Sequence, residues 1–459
     1  MSRSCGRFGL VPDFRRCETS PHKADQRLRS ASVTERDSMK KTVKAAALAA
    51  VAGLLLAACG GSSGDDAKTL VISTDLPLQG SNKDQNDETN NAIKLYLEQI
   101  GNKVTTADGT EYTIEFKAYD NATAAKGAWD DAQCAKNAQD HVANTNEVAV
   151  MGTFNSGCAK IIVPILNQDP NGPMLMISNA NTNPGLTKAW DPGEPDQYYP
   201  TGARNYGRVI ATDDFQGAGG AQFAAQDLKV KKCYVLNDNS TYGQGVAKAF
   251  ADAAPGQGIE VAGFEAYDYK QPNFTALFNK IKGLGGIDCI YVGATFDMNG
   301  GQVVKDKISV LGDNNKVKFI VPDGFVGYPD FDAMPEAEGT YMTFSGMAAD
   351  SLLAQGGKPA EFAAAFKEKY GKDLVNSYSI YGVAALQVIL AAIENSDGTR
   401  KGVTEAVLSG AGVTVGADIS MLGKEIRLDP ATGDTTAIDM TILQIQSGKE
   451  VTLKPWTVQ

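Results

Sequence analysis

Few residues in this chain have the type and spacing that catalysis requires. Of its two histidines, only His141 lies beyond the first 58 residues, which leaves little room for His-based acid–base work or a multi-His metal site. No P-loop, zincin helix or nucleophile-elbow spacing is present. Gly217-Ala218-Gly219-Gly220 is glycine-rich but does not match a dinucleotide fingerprint. The acidic pairs Asp130-Asp131 and Asp213-Asp214 read as solvated or helix-capping charges. These residue types argue against an enzyme, and neither a cofactor nor a metal is expected.

One cysteine has a different context. From Met39 the chain reads Met-Lys-Lys-Thr-Val-Lys, then an apolar run from Ala45 to Ala58, then Cys59-Gly60-Gly61. A basic start, an apolar stretch and a small-residue cleavage site make a secretory signal over residues 39–58. The run is short for a membrane span, and no later segment reads as apolar enough to be one. Leu56-Ala57-Ala58-Cys59 resembles the lipobox of bacterial lipoproteins, which implies lipidation at Cys59 and a lipid-anchored place in the cell envelope, in the periplasm or on the outer face of the cytoplasmic membrane. An ordinary secreted protein is the alternative. Residues 1–38 are Arg-rich and aperiodic and precede a complete signal; they read as a start codon assigned too early and are left out of the fold. Residues 59–68, rich in Gly, Ser and Asp, read as a flexible tether.

Beyond residue 58 the chain has 32 basic and 49 acidic residues, because the first 58 hold 11 of the 43 Lys and Arg and 5 of the 54 Asp and Glu. A formal charge of −17 on that remainder repels phosphate backbones and argues against a nucleic-acid partner. Its length of about 400 residues exceeds what one core supports, so two lobes are expected. Cys134, Cys158, Cys233 and Cys289 form an even set that an oxidising compartment permits to pair.

The elements alternate. Leu70–Ser73 is a short buried strand, and a helix follows with Ile93, Tyr96, Leu97 and Ile100 on one face. Tyr112–Tyr119 is a second strand, and Asp120–Thr123 is read as opening a helix toward His141. Val148–Gly152 and Met174–Ser178 are the third and fourth strands. The pattern restarts with strands at Lys232–Asn237, Ile259–Gly263, Asp288–Gly293 and Lys318–Val321, with helices from Gly245 and Asn273. Late helices lie at Pro359–Tyr370 and Tyr378–Glu394, and late strands at Lys424–Leu428 and Ile438–Gln446. Such alternation indicates α/β architecture, with two doubly wound parallel-sheet lobes. Lobe 1 is placed at 69–210 and 347–435, and lobe 2 at 211–346 and 436–459. The chain then crosses between lobes three times, near Arg208–Thr212, near Gly339–Ser345 and in the C-terminal region. Ligands bind outside the carboxyl ends of parallel strands. The loops there are Leu76–Asn86, Thr153–Ala159, Asn179–Pro184, Asp238–Gly243, Ala294–Asn299 and Pro322–Tyr328, and all six border one cleft if the lobes face each other.

At these loops the chain resembles the type I periplasmic binding proteins of branched-chain amino acid (Leu/Ile/Val) import, the substrate-binding lipoproteins of ABC transporters. The resemblance covers nearly all of 68–459 and rests on the order of several short pieces. They include Asp75–Gly80, Ala118–Asp120, Gly152–Ser156, Ile177–Thr182, Asp238–Gly245 and Ile426–Asp434. It implies that Asn155, Ser156, Ala180 and Thr182 hold a ligand carboxylate through backbone N–H groups and hydroxyls, and that Asp323, beside Gly324, meets its ammonium. Helix capping by Ser156 and Thr182, and a solvated Pro-Asp-Gly turn at Asp323, are the plainer readings. Tyr242 matches a tyrosine that faces the cleft. The resemblance also implies a disulfide between Cys134 and Cys158, while Cys233 and Cys289 are open between a second bridge and buried thiols.

The departures are polar. Gln85 stands where the family often has an aromatic residue, Thr295 or Phe296 (depending on a one-residue shift) replaces another, and Asn181 replaces a small residue. A pocket for Leu, Ile or Val should be mostly apolar, so the ligand is expected to be an amino acid or another small polar solute. The implied partners are that solute and the permease subunits of an ABC importer, the membrane being met through the lipid anchor only, and the protein is expected to be a monomer. A solute-sensing lipoprotein that presents its ligand to a receptor is the alternative.

Overall fold

A computed structural model of the chain describes residues 68–458; the signal segment, Cys59 and the tether up to residue 67 lie outside them. Strand β1 (Thr69–Leu76) is buried along nearly its whole length, and α1 (Lys83–Gln99) lays Ile93 and Leu97 against the core. Next come β2 (Lys103–Thr105), β3 (Glu111–Asp120) and a small hairpin of β4 (Ala122–Thr123) and β5 (Ala128–Trp129). Helix α2 spans Asp131–Ala143, because the Asp130 carboxylate accepts from the N–H groups of Ala132 and Gln133 and sets the start there. The helix expected to open at Asp120–Thr123 therefore begins later, and the hairpin takes its place. Strands β6 (Glu147–Gly152), β7 (Leu175–Ser178) and β8 (Tyr206–Arg208), with α3 (Ser156–Asn167) between the first two, complete a six-stranded sheet. Its order is β2-β3-β1-β6-β7-β8, parallel except for β2 at the edge.

The second sheet repeats the scheme. Its elements run α4 (Asp213–Gln226), β9 (Lys232–Asn237), α5 (Thr241–Ala253), β10 (Glu260–Ala266), α6 (Thr275–Leu284), β11 (Cys289–Gly293), α7 (Gly300–Leu311), β12 (Lys318–Val321), α8 (Pro329–Asp332) and β13 (Tyr341–Phe344). The late elements divide between the sheets. Helices α9 (Ala349–Ala354) and α10 (Gly357–Tyr370) precede α11 (Ser377–Glu394) and α12 (Arg400–Leu408), and the last two pack on the first sheet. A short pair, β14 (Thr414–Val415) with β15 (Ile426–Arg427), leads to β16 (Met440–Ile445) and β17 (Glu450–Trp456). These two extend the second sheet antiparallel, in the order β10-β9-β11-β12-β13-β16-β17. Apolar clusters lie on both faces of each sheet, which is the doubly wound arrangement.

Helix α11 corrects one expectation. By length and composition it is apolar enough to cross a membrane, but nearly all of it is buried in the protein core. A helix apolar all round is a core helix when sheet and helices surround it.

Three segments cross between the lobes side by side. Ala211 N–H donates to the Ser345 carbonyl, Arg208 N–H donates to the Gly433 carbonyl, and the Thr441 hydroxyl bonds the Gly346 carbonyl. Cys134 is bonded to Cys158, joining α2 to α3, with Cα atoms 5.7 Å apart. Cys233 and Cys289, in register on neighbouring β9 and β11, are paired as well.

Candidate functional site

The carboxyl ends of the strands in both sheets meet at one seam. Asn82, in the loop after β1, donates to the Asp297 carboxylate (3.0 Å) and accepts from the Tyr328 hydroxyl. Asn183, after β7, donates to the Thr241 carbonyl at the start of α5. On the first-lobe side, Phe154 of the loop after β6 packs edge-on against Tyr378 of α11, 5.2 Å between ring centroids. Beside the seam lies a cleft of about 810 Å³, with Trp129 of the first-lobe hairpin on one side and Asp238, Tyr267 and Asp297 on the other.

Behind the seam is a buried polar cage. Tyr242, at the second residue of α5, donates its hydroxyl proton to Asp323 Oδ1 (2.5 Å) and accepts from the Gly324 N–H (2.8 Å). Tyr378, at the second residue of α11, donates to the Asp323 carbonyl (3.0 Å), so first-lobe and second-lobe elements grip the same turn. Gly324 has no alternative: a Cβ there would sit 2.3 Å from the Ala294 carbonyl and 2.7 Å from the Tyr242 ring. Asp323 is thus not the solvated turn residue that Pro-Asp-Gly suggests. Its Oδ2 is buried without a hydrogen-bond partner, and so are both carboxylate oxygens of Asp213, the Gln216 carbonyl oxygen and the Thr182 hydroxyl. Asp213 opens α4 directly after the first crossing segment, and its N–H donates to the Thr182 carbonyl (2.8 Å).

Two buried carboxyls in one cage raise each other's energy. Burial, then the charge of Asp323, pushes the Asp213 carboxyl well above the usual range, against the opposing charge of Arg208. Burial also raises Asp323, with Tyr242 and Gln216 opposing. Arg208 holds the Thr182 loop in place: its guanidinium donates to the carbonyls of Asn181 (3.1 Å) and Asn183 (2.8 Å) and to Asp434 (2.7 Å). A group with several N–H donors and a positive charge would satisfy this cage.

Not every residue singled out in the sequence faces it. Asn155 and Ser156 stand at the N-terminus of α3 as expected, both buried; Asn155 makes no capping bond and its side-chain oxygen is unpartnered. The Ala180 N–H is engaged within its own loop by the Ser178 hydroxyl (3.1 Å). Asn181 braces two loops, donating to the carbonyls of Thr153 (2.7 Å) and Phe154 (3.0 Å), so its polarity serves the scaffold. The Thr295 N–H donates to Asp238 (3.2 Å), and the Phe296 ring packs with Phe325, Tyr328 and Phe331. Gln85 lines a separate cavity of about 480 Å³. Asp213 is neither the solvated nor the capping charge that its acidic pair suggests; the one signal that marks it is its place immediately after a crossing segment. Gln216 and Tyr378 carry no local signal, since only the packing of α4 and α11 brings them here.

Hinged α/β lobes meeting over buried, unsatisfied polar atoms define a two-lobed binding protein. The chain belongs to the periplasmic binding protein family, whose model matches residues 73–450. Among its relatives, a leucine-, isoleucine-, valine-, threonine- and alanine-binding protein of Pseudomonas aeruginosa is 26% identical over 72% of this chain and 79% of its own length. An amino acid binding protein of the same organism is 26% identical over 54% of this chain. The chain spans 60% of that second relative. Solved structures share the fold. The leucine-binding protein LivK of Thermotoga maritima superposes with a TM-score of 0.66 at 19% identity, over 84% of this chain and 98% of that one. A solute-binding protein of an ABC transporter from R. palustris, in complex with benzoate, gives a TM-score of 0.66 at 18% identity, over 85% and 98%.

Proposed function

We propose that this chain is the extracytoplasmic solute-binding component of an ABC importer, and that its solute is an amino acid or a similar small molecule carrying both an ammonium and an anionic group. The observation that carries this reading is the pair of buried carboxylates, Asp213 and Asp323, with three of their four oxygens unpartnered and Tyr242 between lobe and ligand. An ammonium placed there pairs with both carboxyls once water is excluded. The anionic end is assigned to the Thr182 hydroxyl and to Asn155 and Ser156, where the N-terminus of α3 favours negative charge. Contacts from both lobes to one solute shift the protein toward the closed form.

The names of the relatives support an amino acid over other solutes. A benzoate-like ligand is disfavoured by the cage itself, since a solute with only a negative charge would face two carboxylates. The remaining assignments belong to the same proposal. Residues 69–210 with 347–435 form one lobe and 211–346 with 436–459 the other. Cys59 carries the lipid anchor, the working form is a monomer, and the partners are permease subunits of the importer. A thermal-shift screen of the tethered domain against amino acids, amides and amines tests the reading. A ligand at a hundred times its Kd stabilises by about 2.7 kcal/mol, and Asp323→Asn should remove the response. A full response from that variant would refute the assignment.

A further inference from the structure

A second cavity, of about 480 Å³, opens along the same seam. Its walls come from both lobes and carry five acidic residues, Asp84 and Glu88 on α1, Asp332 on α8, Asp350 on α9 and Glu450 on β17, against one basic residue, Lys449. Between these carboxylates the wall is apolar, formed by Pro329, Leu353, Leu374 and Leu443. Gln85 is 4% exposed, lines the cavity, and holds a side-chain oxygen with no hydrogen-bond partner. That oxygen lies at the Gly327 end, 3.1 Å from where a Gly327 Cβ would stand, and Gly327 has the positive φ (+83°) that keeps the position free of a side chain. Asp332 Oδ1 is a further buried acceptor without a partner.

We propose that this cavity is a second ligand site, separate from the Asp213–Asp323 cage, that takes a short aliphatic diamine. The lining offers acceptors and negative charge at both lobes, which suit an ammonium at each end, and an apolar middle that suits a methylene chain. A bare divalent ion fits less well: among the described residues no three Asp, Glu, His or Cys side chains gather closely enough to hold one. Closing the lobes brings like charges together, Asp84, Glu88 and Asp350 on one side and Asp332 and Glu450 on the other. Burial and the charge of Asp332 push the Glu450 carboxyl up, with the Gly327 N–H (2.5 Å) opposing. A bound diamine neutralises that repulsion, so it favours closure and strengthens solute binding in the cage, and by linkage the solute strengthens diamine binding.

The experiment uses 1,4-diaminobutane as probe, with sodium chloride at equal ionic strength and butane-1,4-diol as controls, read by calorimetry and thermal shift on the tethered protein. The wild type should bind the diamine saturably and neither control. The double variant Asp332→Asn/Glu450→Gln should lose at least tenfold in diamine affinity while keeping its thermal response to the cage solute, which also shows that it folds. Asp213→Asn should keep the diamine affinity. Absence of saturable binding, or unchanged affinity in the double variant, overturns the proposal. Loss of diamine binding in Asp213→Asn overturns it too, by placing the amine in the cage. Because the proposal does not depend on which solute the cage takes, failure of the amino-acid screen with diamine binding intact would count against the cage reading alone.

Discussion

Asp213→Asn should move stability and binding in opposite directions. In the free protein Asp213 is fully buried, its carboxylate oxygens lack partners, and Asp323 adds a like charge nearby. Its folded-state pKa is raised, so the unfolded chain ionises it more readily. It therefore reduces stability at every pH above the unfolded value of about 4, increasingly so until its folded pKa is reached. Asparagine keeps the shape and removes the ionisation. Without ligand the variant should be as stable as the wild type or more stable, by about 1–3 kcal/mol, the scale of an unsatisfied buried polar group. With ligand the sign reverses: removing one partner of a buried ammonium–carboxylate contact costs about 2–5 kcal/mol, or roughly thirtyfold to several-thousandfold in affinity. Urea unfolding at pH 7 without ligand, and calorimetry with the solute found by screening, measure the two arms. Since burial and Asp323 hold the free Asp213 carboxyl's pKa up and an ammonium beside it would pull it back down, solute binding to the wild type should also release protons, seen as a buffer-dependent heat. A variant that loses stability without ligand and keeps its affinity would refute the reasoning.

Three further outcomes are expected. His141 lies between Asp75 (3.1 Å) and Glu147 (2.6 Å), all buried; against the cost of burial these partners raise its pKa to about 9. Its contribution is thus complete below about pH 6.5 and lost as pH rises through about 9, and His141→Gln should destabilise by about 3–5 kcal/mol at pH 6 by leaving two buried carboxylates without the positive charge between them, measured by urea unfolding across pH. Gly324→Ala forces a Cβ to 2.3 Å from a carbonyl oxygen, so it should cost about 1–3 kcal/mol and weaken solute binding by displacing Asp323, a pairing that thermal melts and calorimetry read together. Removing the Cys134–Cys158 bridge, which closes a separation of 24 residues, as the double alanine variant should lower stability by about 3 kcal/mol with solute affinity at saturating protein nearly unchanged.

The architecture was legible in the chain because it is written in local patterns. Strand and helix periods and the succession of two α/β units are short-range signals, whereas the start of α2 at Asp131 was not placed from them. Tyr242 and Asp323 were marked by motif, since they follow strand ends, five residues after β9 and two after β12. Composition also carried the polarity of the loops, in Gln85, Asn181 and Thr295, but not its destination. Tertiary packing alone decided that Asn181 braces two loops, that Gln85 faces a second cavity, and that Asp213 is a buried partner of Asp323. It likewise decided that α11, apolar enough to span a bilayer, is instead a core helix. The reason is common to these cases. A side chain's type is a property of one position, whereas its burial and its partners depend on segments up to hundreds of residues away, brought beside it only when the two lobes and their three crossings have formed.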